Sequence, residues 1–354
     1  MPAHLHRRGS ARATALGLLA GVALDQLLGD PRRGHPVALF GAAAARLETR
    51  MWRDERAAGI AYAAGLTGAS ALLGVTLHGL ASGGLASGGL ASRGLASRGP
   101  ATRGRSALWL TAATAAATWA VLGERSLAAE ADAVTGHLNR GDLPAARRQL
   151  THLVGRRTDT LDEAEIARAA IESVAENTCD ATVAPLLWGA VAGLPGLLAY
   201  RAVNTLDAMV GHHSPRYENF GWAAARADDV AACLPARLTA LLTAAVAPAL
   251  GGSARGALAV TRRDGRRHPS PNAGMSEAAF AGALGVRLGG RNDYGSHVEE
   301  RPVLGGDGRA PEVADIGRAV RLSRAVTAAA AAACAVIATR ALVPVKVSSS
   351  KTGM

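Results

Sequence analysis

Residues 181–200, ATVAPLLWGAVAGLPGLLAY, decide the fold class because they form an uncharged apolar stretch. A helix that spans a lipid bilayer needs about 20 such residues. The stretch also contains residues that interrupt helices, namely Pro185, Gly189, Gly193, Pro195 and Gly196. Broken helices occur in membrane proteins where the freed backbone is buried in the bundle. We therefore predict a broken or re-entrant helix at residues 181–200.

Further apolar stretches of comparable length flank this one on both sides. They are residues 12–28, 57–80, 107–123, 230–250 and 324–344. We predict an all-α fold, a polytopic membrane helical bundle of four to six segments with cytoplasmic helical and loop regions. The first stretch has the basic flank of a signal peptide, but Asp25 interrupts it and no A-x-A site follows, so we expect it to be retained. Residues 1–354 then form a single integral membrane domain.

The composition of the 354 residues agrees with a membrane bundle and excludes several function classes. Hydrophobic residues make up 49% and aromatic residues only 3%, which excludes a disordered chain and favours helices that pack through small side chains. The net charge of +11 comes from Arg, since the two lysines are Lys346 and Lys351. Without an internal lysine we expect neither a P-loop nor a Schiff base. No nucleic-acid-binding motif accompanies the Arg residues, so we expect no nucleic-acid partner.

Polar regions separate the apolar stretches. Residues 79–105 repeat units such as GLASG and GLASR, and we expect a mobile low-complexity linker rich in Gly, Ser and Arg. Residues 124–180 are predicted to be a polar helical region, and residues 251–323 a polar loop region. In the polar helical region we predict helices at 125–138 and 143–154 and a third that begins at Asp162, where Asp162 and Glu165 have capping-box spacing.

The segment IESVAENTCDATVAPLL, residues 171–187, contains the most informative acids. If its helix is continuous, Glu172, Glu176 and Asp180 share one face, with Asn177 beside them. Like charges at this spacing repel, and acids next to an apolar segment are costly, so we predict a catalytic site with a cation. Mg²⁺ with a substrate phosphate is the natural cation, and Glu176 and Asp180 are its candidate ligands. The alternative is a solvated helix face.

A second polar block lies between the apolar stretches 181–200 and 230–250. It holds more polar side chains than a connecting loop requires, and we predict that they contact substrate. The candidates are Asn204, Asp207, His212, Arg216, Tyr217, Arg226, Asp228 and Asp229. His212 and His213 are adjacent, but without a third ligand at suitable spacing they are a weak metal signal.

Two turns complete the set of candidate substrate-binding residues. The first, DQLLGDPRRGHPV, places Asp30 and His35 beside the end of an apolar stretch. The second, HPSPNAGMSEAAFAGALG, places Ser270, Asn272 and Gly274 before a short helix at about 275–284 that Gly285 closes. Free N–H groups at a helix N-terminus bind anions, so the second turn is a candidate phosphate or carboxylate site.

Taken together, these blocks resemble the CobD/CbiB family of cobalamin biosynthesis proteins. The segments that carry the resemblance are GDPRRGHPV, ESVAENTCDATVAPL, YRAVNTLDAMVGHH, ARADDVAACLPARLT and HPSPNAGMSEAAFAGALGVRLGG, and it runs from about residue 20 to about residue 325. The repeat at 79–105 departs from the family pattern. Arg157 also departs, because an acidic residue is expected there.

The resemblance implies a membrane-bound adenosylcobinamide-phosphate synthase. Such a ligase joins (R)-1-aminopropan-2-ol, as its O-phosphate, to a propionate carboxylate of adenosylcobyric acid and consumes Mg-ATP. The corrinoid is then a substrate and not a bound cofactor. The expected partners are the corrinoid, aminopropanol phosphate, membrane lipid and other corrinoid-pathway enzymes. The expected location is the cell membrane, with several passes and a cytoplasmic active face.

We assign catalytic roles as a hypothesis to Glu172, Glu176, Asn177, Asp180 and Asp207. One active site requires all the polar blocks on one face, which holds if residues 181–200 and 230–250 fail to cross the membrane. The alternatives are a corrinoid permease or accessory subunit, which would carry its acids mid-span, and a lipid-head-group transferase, whose D-G-x-x-A-R helix is absent.

Overall fold

The computed structural model describes residues 2–31, 34–83, 100–212, 214–295 and 297–341. Its α-helices are α1 (Pro2–Leu28), α2 (Pro36–Met51), α3 (Arg56–Ala81), α4 (Pro100–Val121), α5 (Glu124–Asn139), α6 (Leu143–Leu150), α7 (Glu163–Thr178), α8 (Ala184–Leu206), α9 (Trp222–Ala231), α10 (Cys233–Val246), α11 (Ala254–Asp264), α12 (Ala273–Leu284) and α13 (Val313–Ala341). Two strands, β1 (Leu288–Asp293) and β2 (Val298–Leu304), form an antiparallel hairpin. The repeat unit of the predicted linker lies largely in residues 84–99, outside the described ranges.

Six helical segments in the described ranges are long and apolar enough to cross a membrane. They are Gly9–Leu28, Arg56–Ala81, Gly104–Asn139, Glu163–Gly211, Cys233–Leu250 and Val313–Arg340. The protein is therefore an all-α polytopic membrane bundle, as the sequence predicted.

Helices α1 and α4 show how small side chains bring the helices of the bundle together. A Cβ atom added to Gly17 would lie 2.5 Å from the Cβ of Thr114, and one added to Gly21 would overlap Thr118. The residue numbers of the contacting pairs increase together along α1 and α4, so the two helices run parallel. Close backbone approach of this kind is how membrane helices gain packing energy without large side chains.

Helix α8 folds back on itself at Gly193. This residue has φ 66° and ψ −152°, a conformation that is essentially restricted to glycine. A Cβ atom on Gly189 would lie 3.6 Å from the Cβ of Leu197, whereas eight residues of straight helix would separate them by about 12 Å. The tip of this hairpin packs against α3, where a Cβ on Gly74 would lie 2.6 Å from Pro195. The prediction of a broken or re-entrant helix is confirmed.

Helix α10 runs alongside α12, because the two ends of α10 lie beside the two ends of α12. Near its start, Arg237 donates a hydrogen bond to the Oδ1 atom of Asn272 over 3.2 Å. After its end, the Ser253 N–H donates to the Ala283 carbonyl over 2.9 Å. The α8 hairpin returns the chain to the end of the bundle from which it started, so the polar blocks before and after α8 lie at the same end.

The polar region before the hairpin follows the predictions closely. Helix α7 begins with the predicted capping box, in which the Glu165 N–H donates to Asp162 over 2.8 Å and Glu165 accepts from the Asp162 N–H. Helix α5 lies within one residue of its prediction. Helix α6 ends at Leu150, four residues early, because residues 151–153 form turns and the Leu153 carbonyl accepts from Ser173 instead.

The expectation of a loop region at 251–323 is wrong, because α11, α12 and the β hairpin occupy most of it. Helix α12 begins at Ala273 and ends, as predicted, at Gly285, which has φ 71°. Helix α7 holds β1 in place, since the Arg168 side chain donates hydrogen bonds to the carbonyls of Gly289 and Arg291. These partners are about 120 positions away in sequence, so local composition gave no signal for them.

Candidate functional site

Helix α7 leads into the centre of the site through a change of helical pitch. A π-helical turn, Cys179–Val183, follows α7 and shifts the positions of the side chains beyond Thr178. Glu176 and Asp180 remain close enough for their charges to repel each other, and Asp180 also repels Asp207 and Asp228. Glu172 and Glu176 therefore share a face of α7 and line one cavity, as predicted, whereas the π-helical turn moves Asp180 toward Asp207 and Asp228.

The return of α8 and the start of α9 bring two more acids to the same place. Asp207 begins a second π-helical turn after α8, and Asp228 lies on α9. The Asn204 side-chain amide donates to Asp228 over 3.5 Å. Burial, and then the nearby Asp207 charge, raises the pKa of Asp228 to about 7. We name Glu176, Asp180, Asp207 and Asp228 the acid cluster.

Two side chains of α8 supply hydrogen-bond donors beside the acid cluster. Tyr200 is 2% exposed, and within the described part of the chain its hydroxyl has no hydrogen-bond partner. The Nε atom of Arg201 is likewise buried without a partner there. Tyr200 interacts electrostatically with Asp180, and Arg201 with both Asp180 and Asp30. Asp30 lies 3.5 Å from His35, so the first polar turn also reaches this end of the bundle.

A cavity of about 130 Å³ adjoins the acid cluster at Glu176. We name it the charged cavity, after its lining side chains Arg156, Glu172, Glu176, Glu277, Tyr294 and Arg301. Both carboxylate oxygens of Glu172 accept hydrogen bonds within the protein, one from Arg156 over 2.5 Å and one from the Gly289 N–H over 2.7 Å. Arg301 is held in place by Tyr294 at 2.8 Å and Glu299 at 3.0 Å.

Glu277 has no comparable partner in the charged cavity among the described residues. Its nearest basic group there is His268, at 3.7 Å, and both side chains are almost fully buried. Burial, and then the charges of Glu172 and Glu176, raises the pKa of Glu277 well above its ordinary value. Burial, and then Arg301, lowers the pKa of His268. Each shift favours the neutral form of its group, which disfavours an ion pair between the two side chains.

Several predicted substrate-binding residues lie apart from the acid cluster. Arg216 and Tyr217 both bind Glu48 of α2, at 3.0 and 2.9 Å, and the Arg216 guanidinium packs 4.7 Å from the Trp52 ring. The exposed His212 ring contacts Tyr217 edge-on. These side chains join α2 to the segment after α8. His213 lies outside the described residues.

Arg226 and Asp229 of α9 also bind each other. The Arg226 guanidinium is exposed and donates to Asp229 over 3.0 Å. The backbone carbonyl of Asp229 accepts from Asn272 over 2.8 Å. The pair thus sits at the edge of the acid cluster, and its predicted contact with substrate stays a prediction.

The turn before α12 uses its polar groups within the protein. The Ser270 hydroxyl accepts from the N–H groups of Asn272 and Ala273, at 3.4 and 3.1 Å. Gly274 is in tight contact with His268, where a Cβ atom would overlap the ring-bearing side chain. The predicted anion site at this helix N-terminus is therefore already occupied in part by Ser270, and the turn connects α9 with α12.

Sequence reasoning missed Glu277, Arg156, Arg301 and Tyr294. Glu277 carried a signal, because it is the one charged residue in the α12 sequence AGMSEAAFAGAL. Arg156 carried no signal, because the sequence does not distinguish it from the adjacent Arg157, whose exposed guanidinium binds Asp159 at 2.6 Å. Arg301 and Tyr294 lay in a segment that we expected to be irregular.

The described residues contain no group of three His, Cys, Asp or Glu side chains arranged to hold a metal ion. Mg²⁺ is usually held by one or two carboxylates, with water and substrate phosphates completing its shell. The carboxylates of Glu176 and Asp180 are of the right chemistry for that mode. They stay candidate ligands.

Comparison with known proteins decides the family. The family model described as CobD/Cbib protein matches residues 18–323. The chain belongs to the CobD/CbiB family. A protein named "Cobalamin biosynthesis protein CobD" from Mycobacterium tuberculosis (strain ATCC 25618 / H37Rv) is 53% identical to this chain, and the match covers 90% of this chain and 93% of the relative. A relative of the same name from Geobacter metallireducens is 44% identical, and that match covers 81% of this chain and 85% of the relative. A relative of the same name from Rhodobacter capsulatus is 40% identical, covering 87% and 92%. No solved structure matches the chain. The family assigns the chain to cobalamin biosynthesis.

Proposed function

We propose that this member of the CobD/CbiB family is an ATP-dependent amide ligase. It joins (R)-1-aminopropan-2-ol, as the O-phosphate, to a propionate carboxylate of adenosylcobyric acid. The observation that carries the proposal is the acid cluster, in which carboxylates from α7, α8 and α9 converge at one end of the bundle. Bringing these charges together is costly, and a divalent cation with a phosphate-bearing substrate offsets that cost.

The chemistry needs an activated carboxylate and a deprotonated amine. When bound, Mg-ATP supplies the phosphoryl or adenylyl group that turns the carboxylate oxygen into a leaving group. Glu176 and Asp180 would hold the cation. Asp228, whose pKa is raised to about 7, suits a general base that takes the proton from the attacking amine. The unpartnered donors of Tyr200 and Arg201 suit the negative charge that develops on the carbonyl oxygen.

The alternative function is a corrinoid permease or an accessory subunit. A permease path requires polar groups along the depth of the membrane. The two arms of the α8 hairpin meet through apolar residues such as Leu197, and the acids lie where the arms end. This distribution favours a site at one end of the bundle over a path through it.

Because ATP is cytoplasmic, we propose that the acid cluster faces the cytoplasm of a multi-pass cell-membrane protein. Asp159 and Arg266 are exposed at the same end, and the exposed Cys233 can be replaced by serine. Asp159→Cys and Arg266→Cys in that background should react with an impermeant maleimide in lysed cells and inverted vesicles. Labelling from outside intact cells would contradict this orientation.

The decisive experiment uses the detergent-purified protein with adenosylcobyric acid, aminopropanol phosphate and Mg-ATP, followed by mass spectrometry. The amide product should form only when ATP and Mg²⁺ are both present. Asp180→Asn should strongly reduce product formation, while Asp159→Asn, a matched change at an exposed acid, should not. A folded protein that binds the corrinoid and gives no product would favour the accessory or transport function.

A further inference from the structure

The charged cavity contains ionisable groups that the rest of the protein does not neutralise. Glu172 is paired with Arg156, and Arg301 is held by Glu299 and Tyr294. Among the described residues, the nearest basic side chain to Glu277 is His268, at 3.7 Å, and the Arg301 and Arg156 guanidinium groups act on Glu277 from farther away. The Nε atom of Arg156 is buried, and no hydrogen-bond acceptor in the described part of the chain reaches it. The cavity thus presents both an acid without an arginine in direct contact among the described residues and guanidinium donors.

The volume of the charged cavity limits what can enter it. A protein cavity of about 150 Å³ accommodates a molecule the size of benzene. The charged cavity, at about 130 Å³, is of that scale and opens on one side. A small aminoalkyl phosphate therefore fits it, whereas a corrin ring or a nucleotide does not.

We propose that the charged cavity is the binding subsite for the amine substrate, a small aminoalkyl phosphate. The phosphate binds at Arg301 and Arg156, and the ammonium group binds at Glu277, on the side of the cavity that Glu176 also lines. The inference rests on the proposed ligase function, which it extends by assigning one substrate to a cavity that adjoins the acid cluster at Glu176.

The position of Glu176 gives the ligand its direction. Glu176 lines the charged cavity and also repels Asp207 and Asp228 of the acid cluster. An ammonium group near Glu176 is therefore next to the place where the corrinoid carboxylate is activated, while the phosphate stays among the arginines. The mixed charge explains why one cavity holds both, because each end of the ligand meets groups of opposite sign.

Calorimetric titration of the detergent-purified protein without ATP or corrinoid tests the subsite directly. The two probes are (R)-1-aminopropan-2-yl phosphate and isopropyl phosphate, which differ by the amino group. The wild-type protein should bind the aminoalkyl phosphate at least about tenfold more tightly than isopropyl phosphate. Binding of neither probe by folded protein would overturn the proposal.

Three variants assign the two ends of the ligand. Arg301→Ala should weaken binding of both probes by about 10- to 100-fold, and Arg301→Lys should weaken it less. Glu277→Gln should remove the preference for the aminoalkyl phosphate and leave isopropyl phosphate unaffected. Arg157→Ala is the matched control, because that exposed guanidinium pairs with Asp159 outside the cavity. Equal losses for both probes in Glu277→Gln would overturn the assignment of the ammonium end.

Steady-state kinetics separate failure of the subsite from failure of the proposed function. If the probes bind as expected but no amide forms with Mg-ATP and corrinoid, the subsite stands and the ligase function fails. If amide forms but Arg301→Ala leaves the KM for the amine unchanged, the ligase function stands and the subsite is wrong.

Discussion

Glu172 and Glu176 lie one turn apart on α7, yet the structure treats them in opposite ways. Glu172 is buried and accepts from Arg156 and the Gly289 N–H, so its charge is compensated by the fold. Glu176 lies among the carboxylates of the acid cluster, and the nearest positive charges belong to the cavity beside it. One acid ties the β hairpin to α7, and the other is left for a ligand.

The same contrast separates Asp264 from Asp228. Burial disfavours the charge of Asp264, but hydrogen bonds from Arg263 and from the Gly305 N–H outweigh it, so its pKa lies below the ordinary value. Burial and the Asp207 charge raise the pKa of Asp228 to about 7. Burial alone therefore does not decide the direction of the pKa shift, whereas charged hydrogen-bond partners such as Arg263 do.

The largest effect is expected at Glu176. Glu176→Gln removes one acid from the cluster without leaving a buried cation unpaired, so turnover should fall by about 1,000-fold while the melting temperature is kept. Product formation by mass spectrometry and thermal unfolding in detergent measure the two quantities. Turnover within a few fold of wild type would remove Glu176 from the chemistry.

Glu172→Gln should produce the reverse pattern. The change leaves the buried Arg156 without its counter-charge, so the protein should lose about 3 kcal/mol of stability. Glu163→Gln, at an exposed position of the same helix, is the control. A melting temperature equal to that of the control would show that the ion pair contributes little.

Gly193→Ala tests whether the hairpin brings Asp207 to the acid cluster. An alanine at φ 66° and ψ −152° is strained by about 1–3 kcal/mol, so both stability and turnover should fall. Gly68→Ala on α3 is the control, because a Cβ atom there meets no neighbour among the described residues. Equal behaviour of the two variants would contradict a glycine-dependent turn.

Asp228→Asn should stabilise the protein in a pH-dependent way. The folded-state pKa of about 7 exceeds the unfolded value, so the wild type loses stability as pH rises from about 4 to 7, and the amide avoids that loss. At pH 8 the variant should gain roughly 2–3 kcal/mol relative to its difference at pH 5. A stability difference that does not grow between pH 5 and pH 8 would argue against the raised pKa.

The smallest effect is expected at Arg157. Its guanidinium is exposed and pairs with Asp159 in solvent, where ion pairs contribute little. Arg157→Ala should leave the melting temperature and turnover within error of wild type, whereas Arg156→Ala should lower both. Similar losses in the two variants would erase the distinction between buried and exposed pairs.

The sequence predicted the elements whose causes are local. Apolar length gave the candidate spans, Asp162 and Glu165 gave the start of α7, and the prolines and glycines of residues 181–200 gave the hairpin. It could not predict that Arg156 pairs with Glu172 and Asn292, because such partners meet only after long-range packing. The π-helical turn at Cys179–Val183 also had no pattern of its own, and it is what separates Asp180 from the face of Glu172.

The fold of α8 and α10 has a consequence for experiments on membrane topology. The described residues contain six candidate membrane spans, and if α8 and α10 do not cross, four crossings are left, which is also an even number. Reporters fused to either end of the chain therefore give the same answer for both arrangements. The two arrangements place only the segment between Asp207 and Ala232 on different sides of the membrane. A reporter in that segment therefore distinguishes a membrane-inserted hairpin from two full passes.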